Sequence, residues 1–178
     1  SESRHDAGLA IARSGNFAEL LSSHERAWLH TWDRFDIAMD SANDWTETVL
    51  HLHIFHLLQT VSHHSAHLDV GVPARGWHGE AYRGHIFWDE LFIFPYLNFQ
   101  RPWLAEALLQ YRYARLGTAR AAAREEGFEG AMFPWQSGSD GREETQRLHL
   151  NPKSGRWLPD RSHLQRHVNI AIAYNVWQ

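Results

Sequence analysis

The 178-residue sequence contains no cysteine. This excludes disulfides, thiolate nucleophiles, haem–thiolate ligation and every cysteine-based zinc site. Long hydrophobic runs are missing as well. The most apolar stretch, Ile86 to Phe99, is interrupted by Asp89, Glu90 and Pro95 and falls short of the ~20 apolar residues of a membrane span. Basic charge is scarce: 17 Lys and Arg stand against 21 Asp and Glu, a formal net charge of −4, so no nucleic-acid partner and no membrane is expected. The opening residues SESRHDAG have neither the basic start nor the apolar stretch of a secretory leader, and a cytoplasmic location is expected. There is no phosphate-cradling GxxxxGK[ST] loop, no dinucleotide GxGxxG after a strand, and no Ser–His–Asp order that suits a hydrolase.

Histidine and tryptophan are abundant instead, with 14 and 9 copies. Neutral imidazoles both donate and accept hydrogen bonds, and indole faces stack on C–H groups. The mixture suits a neutral, hydroxyl-rich ligand better than an anionic one. Net charge is a soft guide here, because protonating half of the histidines near pH 6.5 moves it by about +7.

Helical periodicity dominates, and an all-α fold is expected. From Phe17 the residues Leu21, Trp28, Trp32 and Phe35 recur on one helical face, opposite mostly charged positions. Asn43 and Asp44 offer an N-cap, with Asp44 and Glu47 resembling a capping box. The following helix, to about Val61, carries apolar residues all round and is expected to be buried on most sides. Leu68 to Gly84, broken by Gly71, Pro73, Gly76 and Gly79, reads as a long ordered site loop bearing Trp77, His78, Glu80, Tyr82 and Arg83. In HIFWDELFIFPYLNF, Pro95 is expected to kink or end a helix. Pro102 is expected to start the next one, which runs to about Glu126 with Leu104, Leu108 and Tyr111 as its stripe, Arg112, Arg115, Arg120 and Arg124 in solvent, and Gly127 as its stop. Residues 128–163 read as irregular, and Leu164 to Trp177 as a final apolar helix. A single domain, 1–178, is expected. Ser1 is no initiator, and AIAYNVWQ stops inside an apolar pattern, so a fragment of something larger is also expected.

Three groups of residues could carry chemistry. The first is histidine-rich: His51, His53, His56, His63, His64 and His67, then His163 and His167. The pairs His63/His67 and His163/His167 have the i, i+4 spacing of zinc ligands on a helix, but no acid lies between them, so ordinary hydrogen-bonded histidines at helix ends and on the surface are the expected reading and no metal site is assigned. The second is aromatic and acidic: Trp77, Tyr82, His85, Phe87, Trp88, Asp89 and Glu90. Trp88 offers a stacking face for a sugar and Asp89 a bidentate acceptor for its hydroxyls, while Asp89, in the middle of IFWDELFIF, could instead pair with Arg83 or Arg112 in the core. The third is the loop GAMFPWQSGSDGREETQRLHLNP, in which Trp135, Gln136 and Glu144 could add a second aromatic wall.

The strings GEAYRGHIFWDELFIFP (79–95), LLQYRYARLGTARAAAREEGFEGAMFPWQS (108–137) and, more loosely, QRHVNIAIAYNVWQ (165–178) together resemble glycoside hydrolase family 65, the maltose, trehalose and kojibiose phosphorylases and related hydrolases. HTWDRFDI (30–37) and HLHIFHLLQTVS (51–62) resemble the first helices of that family's catalytic domain. The resemblance implies an (α/α)6 barrel, of which this chain would be roughly the first half. It implies inverting cleavage of an α-linked glucose disaccharide by phosphate or water, with no cofactor beyond phosphate as co-substrate. Trp88, Asp89 and Trp135 would contact the sugar at subsite −1, and Arg83, His85, Gln136 and Glu144 are further pocket candidates. The family's general acid lies downstream of the position matching Gln178, so no catalytic residue is assigned here and the chain alone is expected to be inactive. The alternative is a non-catalytic sugar-binding or assembly module, completed by a second copy or by the rest of the barrel.

Overall fold

The computed structural model describes residues 4–40, 43–76 and 82–178; Trp77, His78 and Glu80 of the expected site loop lie outside the described residues. Among them are seven α-helices and one pair of short strands: α1 Arg4–Arg13, α2 Phe17–Phe35, α3 Asp44–Thr60, α4 Phe94–Gln100, α5 Pro102–Ala114, α6 Leu116–Glu125, β1 Leu148–Leu150, β2 Trp157–Pro159 and α7 His167–Trp177. The expected helical class holds. No described helix is long and apolar enough to cross a membrane. Two compact units divide the chain, 1–54 and 55–178, with the division inside α3.

In the first unit, α1 was not anticipated, because it carries no apolar stripe and its described residues are exposed. A capping box starts α2: Glu19 N donates to Asn16 Oδ1 (3.1 Å) and Asn16 N to Glu19 Oε2 (3.0 Å), satisfying two otherwise orphaned donors. Gly15 sits at φ +83, and a Cβ there would collide with the Glu19 carboxylate, so the turn before the box requires glycine. The covered face of α2 is Trp28, Trp32 and Phe35, as the spacing predicted, although Leu21 is exposed. Asn43 caps α3, its Oδ1 accepting from Thr46 N (2.9 Å) and Oγ1 (3.0 Å); Asp44 is already the first helical residue. The helix is less buried than its composition implied, since Trp45 and Leu52 are exposed.

The second unit is built on one core. Val61, Val72, Leu91, Phe94, Leu97, Leu104, Leu108, Val168 and Ile172 pack together, with Trp88 and Phe133 against the edge. Pro95 initiates a helix here instead of ending one. Residues 88–92 form a 3-10 turn, and α4 then begins at Phe94 with proline in its first turn, where the missing N–H costs nothing. Pro102 starts α5 as expected.

The predicted helix to Glu126 is in fact two. It breaks at Arg115 (φ −103, ψ 10), whose Nη1 donates to the terminal carbonyl of Tyr111 (2.9 Å) and so replaces part of the lost ladder. Gly127 (φ +79) stops α6, and Phe128 N closes the turn onto Ala123 O (2.8 Å). The hairpin β1–β2 pairs Leu148 with Pro159 and Leu150 with Trp157. Three-residue strands exposed on both faces carry no alternating pattern by which periodicity could mark them.

Asp69 accepts from Arg115 Nη1 (2.7 Å) and Nη2 (2.9 Å), tying the loop after α3 to the end of α5. The hydrogen bond from Arg115 holds the Asp69 carboxyl below its ordinary value. A depressed carboxyl stabilises the fold above its unfolded pKa and loses that contribution as pH falls through the folded one. Because Asp69 is largely exposed, Asp69→Asn is expected to cost only about 0.5–1 kcal/mol at neutral pH. In urea titrations the gap from wild type should close below roughly pH 4, the usual carboxylate range; a gap constant from pH 3 to 7 contradicts the assignment.

Candidate active site

Three side chains at the C-terminal end of α5, those of Tyr111, Arg112 and the capping Arg115, organise the loops around the candidate pocket. The Tyr111 hydroxyl lies 2.8 Å from Ser137 Oγ and donates to Gly138 O (2.6 Å); burial pushes this phenol above its ordinary range. Arg112 donates from Nε (2.9 Å) and Nη2 (2.7 Å) to Glu90 Oε1, and from Nη2 to Phe87 O (3.1 Å). Arg115 holds Ser139 O through Nε (2.9 Å) and Nη2 (2.6 Å) and lies 3.7 Å over the Tyr111 ring. A single helical face thereby fixes residues 68–72, 87–90 and 137–141. Gly141 (φ +78) approaches Arg115 so closely that a Cβ would sit 2.7 Å from the arginine's own.

Arg112 and Arg115 are therefore buried, not solvated as their charge implied, whereas Arg120 and Arg124 are exposed. The signal was available. Positions 104, 108, 111 and 115 form one i, i+4, i+7 stripe, and 112 lies four beyond 108. Glu90, not Asp89, is the core partner of Arg112, with Glu90 Oε2 also accepting from Val72 N (3.4 Å). Burial pushes the Glu90 carboxyl up, against the opposing pull of Arg112. Asp89, one residue earlier, is exposed.

The aromatic side of the site is a cluster. Trp88 and Trp135 lie 5.7 Å apart at 31°, and His167 stands edge-on to both, at 4.8 and 5.2 Å. Phe87 contacts Trp135 at 6.0 Å and Tyr82 at 4.6 Å. Two segments bring the tryptophans together: Ile86 and Ser137 exchange backbone hydrogen bonds of 2.9 and 2.8 Å. His167, at the start of α7, belongs to this cluster, a role that its i, i+4 spacing from His163 does not signal.

The Trp135 loop is moulded around the Glu143 carboxylate. Its Oε2 accepts from Trp135 N (2.7 Å), and its Oε1 from Gln136 N (3.1 Å), Thr145 N (3.1 Å) and Thr145 Oγ1 (2.5 Å). With both oxygens engaged by the backbone and by Thr145, Glu143 acts as a loop anchor. Replacing it by glutamine turns one acceptor into a donor facing N–H groups, at about 1–3 kcal/mol. Glu143→Gln is therefore expected to lower the unfolding midpoint and shift the near-ultraviolet dichroism of the tryptophans; wild-type values for both would contradict this.

The residues singled out in the sequence separate into three places. Arg83, Phe87, Trp135, Gln136, Thr145 and Asp160 help line a cleft of about 220 Å³. Beside it the Gln136 amide nitrogen lies 2.6 Å from His85 Nδ1, and Arg83 Nη2 donates to Glu144 O (3.2 Å). Glu144 thus meets Arg83 through its backbone carbonyl, while its side chain lies along Gly138. Trp88 lines an apolar groove of about 410 Å³ with Phe92, His167 and Tyr174. Asp89 opens into a hollow of about 210 Å³ with His56, Thr60 and Arg75. Trp88 and Trp135 thus meet through their rings, while Asp89 faces a neighbouring space. Tyr82 and Arg83 both have φ +56, followed by Gly84 at +69. Two non-glycine residues in the left-handed region store roughly 1–2 kcal/mol each, a local strain common at binding sites.

The histidine pairs do not form the geometry their spacing implied. His63 and His67 stand in turns after α3, with the His63 and His64 rings 3.8 Å apart and tilted by 41°, and His163 lies in a 3-10 turn ahead of α7. Among the described residues, no group of three or more His, Asp or Glu is placed to hold a metal.

Comparison with known proteins narrows the chemistry. Residues 51–178 match the model of the glycosyl hydrolase family 65 central catalytic domain. An uncharacterized glycosyl hydrolase of Mycobacterium tuberculosis is 54% identical over 94% of this chain and 12% of its own length. The trehalose 6-phosphate phosphorylase of Lactococcus lactis is 42% identical over 90% of this chain and 21% of its own. Further relatives include disaccharide phosphorylases and a hydrolase. The structure also superposes on a solved one, a candidate kojibiose phosphorylase from the human microbiome, with a TM-score of 0.75 and 24% identity over 96% of this chain and 23% of that one. That likeness agrees with part of a helical barrel. The chain spans only 12–21% of the length of these curated relatives. Its fold, its Tyr82–Glu90 and Phe133–Ser137 segments and the match across most of its length lead to one assignment: the chain belongs to glycosyl hydrolase family 65.

Proposed function

We propose that the whole protein cleaves an α-linked glucose disaccharide of the maltose, trehalose or kojibiose type with inversion, using phosphate or water, and that this chain supplies one wall of subsite −1. The observation that carries the reading is the tryptophan pair. Trp88 and Trp135 are locked together by His167 and by the Ile86–Ser137 bridge, beside a cleft whose polar groups include Arg83, Gln136, Thr145 and Asp160. Flat faces next to a few fixed donors are what a sugar ring requires. The residues 1–178 form a single domain with the remainder of the barrel in this reading, and inorganic phosphate is the co-substrate of a phosphorylase.

Two observations support a shared site completed by further residues of the same polypeptide. Ile170, Tyr174, Val176 and Trp177 on α7 are exposed, and apolar faces of that kind are seldom left open. Glu90 and Glu143, meanwhile, are committed to Arg112 and to the Trp135 loop and are not free to act as general acid.

The test is to incubate the full-length protein with maltose, trehalose, kojibiose and trehalose 6-phosphate, with and without inorganic phosphate. Products are followed by proton NMR. Phosphate-dependent release of β-glucose 1-phosphate, or phosphate-independent release of β-glucose, is the expected result; no turnover of any of the four rejects the reading. Residues 1–178 alone are expected to show no turnover, since loss of a general acid costs about 10²–10⁴-fold and the attacking group's site lies elsewhere. Turnover by the isolated chain that disappears in Trp135→Ala overturns that expectation.

A further inference from the structure

Trp88 and Asp89 sit on one short 3-10 turn, Trp88–Phe92, which has no side-chain cap of its own. Its geometry is imposed from outside. The carbonyl immediately before the pair, Phe87 O, and the side chain immediately after it, Glu90, are both held by one guanidinium, that of Arg112 (3.1 Å to Phe87 O; 2.7 and 2.9 Å to Glu90 Oε1). Arg112 and Glu90 are almost wholly buried, with side-chain exposures of 3% and 1%. The other Glu90 oxygen takes Val72 N, in the loop that lines the hollow where Asp89 opens.

We infer that Arg112 is a positioning residue: its guanidinium, bracketing the Trp88–Asp89 pair through Phe87 O and Glu90, sets the direction of both pocket side chains. The inference rests on the reading of Trp88 and Asp89 as sugar-contacting residues. The physical case has two parts. A planar guanidinium presents several donors in a fixed fork, so it ties two acceptors at a set separation, which a lysine ammonium does not. A buried ion pair, moreover, is a poor device for stability alone, because two apolar side chains of similar volume usually serve as well or better. Sub-ångström placement of binding groups, by contrast, is worth up to about 10²-fold in rate.

Two variants of the full-length protein test this, Arg112→Lys and the apolar pair Glu90→Leu with Arg112→Met. Each is assayed on the disaccharide the wild type turns over, by thermal unfolding, and by hydrogen exchange of the amides in 86–92. Arg112→Lys is expected to keep the fold but lose about 10²-fold in kcat/KM. The apolar pair is expected to match or exceed the wild-type unfolding midpoint while kcat/KM stays about 10²-fold down and the 86–92 amides exchange faster. A purely structural pair predicts the opposite, with activity returning alongside stability. Activity restored in the apolar pair, or unchanged exchange of 86–92 in both variants, overturns the inference. If the wild type turns over no disaccharide, the proposed function fails, and the exchange arm alone still decides whether Arg112 holds the turn.

Discussion

Phe94→Ala is expected to destabilise the chain by about 3–5 kcal/mol, the range for removing a buried aromatic ring from a packed core. Phe94 has 0% exposure. It opens α4 at the point where the 88–92 turn, α5 and α7 converge, and it shares one cluster with Leu91, Leu97, Leu104, Leu108, Val168 and Ile172. Few of these neighbours can move into the vacated space. Leu91 is fixed within the turn anchored by Glu90, and Leu104 and Leu108 are on a helix that also carries Tyr111, Arg112 and Arg115. The loss of dispersion contacts thus adds to the lost transfer energy. Urea unfolding measures the effect as a fall in midpoint at constant slope. Phe99→Ala is the internal control: at 85% exposure it should shift stability by no more than about 0.5 kcal/mol. Equal effects from the two changes would mean that the core does not lie where the structure puts it.

The second large effect concerns activity. Asp89→Ala in the full-length protein is expected to lower kcat/KM by about 10²–10³-fold, the loss typical of one preorganised polar contact that strengthens in the transition state. Asp89 is exposed into a hollow beside His56, Thr60 and Arg75, and its carboxylate is not consumed by the core. Two carboxylate oxygens can accept from adjacent sugar hydroxyls, and charge-assisted bonds of that kind are roughly twice as strong as neutral ones. Asp89→Asn keeps the shape but loses the charge and one acceptor, so its kcat/KM should fall between wild type and alanine. Stability should hardly change in either variant, which separates Asp89 from its neighbour Glu90, where truncation strips a buried arginine of its partner. A loss below about 5-fold in Asp89→Ala, against the 10²-fold expected, would mean that the hollow at Asp89 is not part of the proposed sugar site.

Much of the local structure was legible in the chain. Period and stop signals predicted α2, α3, the proline start of α5 and the glycine end of α6, because caps, prolines and apolar stripes act over a few residues. Misreadings fell where a distant group intervened. Pro95 reads as a helix breaker until the 3-10 turn ahead of it ends the preceding segment. The α5–α6 break depends on Arg115 reaching Tyr111 O, Asp69 and Ser139 O at once. Charge suggested solvent for Arg112 and Arg115, yet their stripe position placed them inside once acceptors from three loops were available.

The candidate site shows the same division. The motifs containing Trp88, Asp89 and Trp135 were visible as strings, and the family assignment rests on them and on the match across residues 51–178. Nothing in the strings distinguishes Asp89 from Glu90. Which carboxylate turns inward depends on the phase of one 3-10 turn and on a guanidinium twenty-odd residues away, as the Arg112–Glu90 separation shows. His167 likewise joins Trp88 and Trp135 only when α7 packs on that turn.

By itself, then, the sequence determined the helical class, most helix ends, the absence of cysteine chemistry and the family, all of which are written in near-neighbour patterns or in whole motifs. The tertiary structure alone decided which of two adjacent acids is buried, which arginines leave water, and which aromatic rings meet. Those outcomes depend on burying charge, which is tolerated only where partners from remote segments converge.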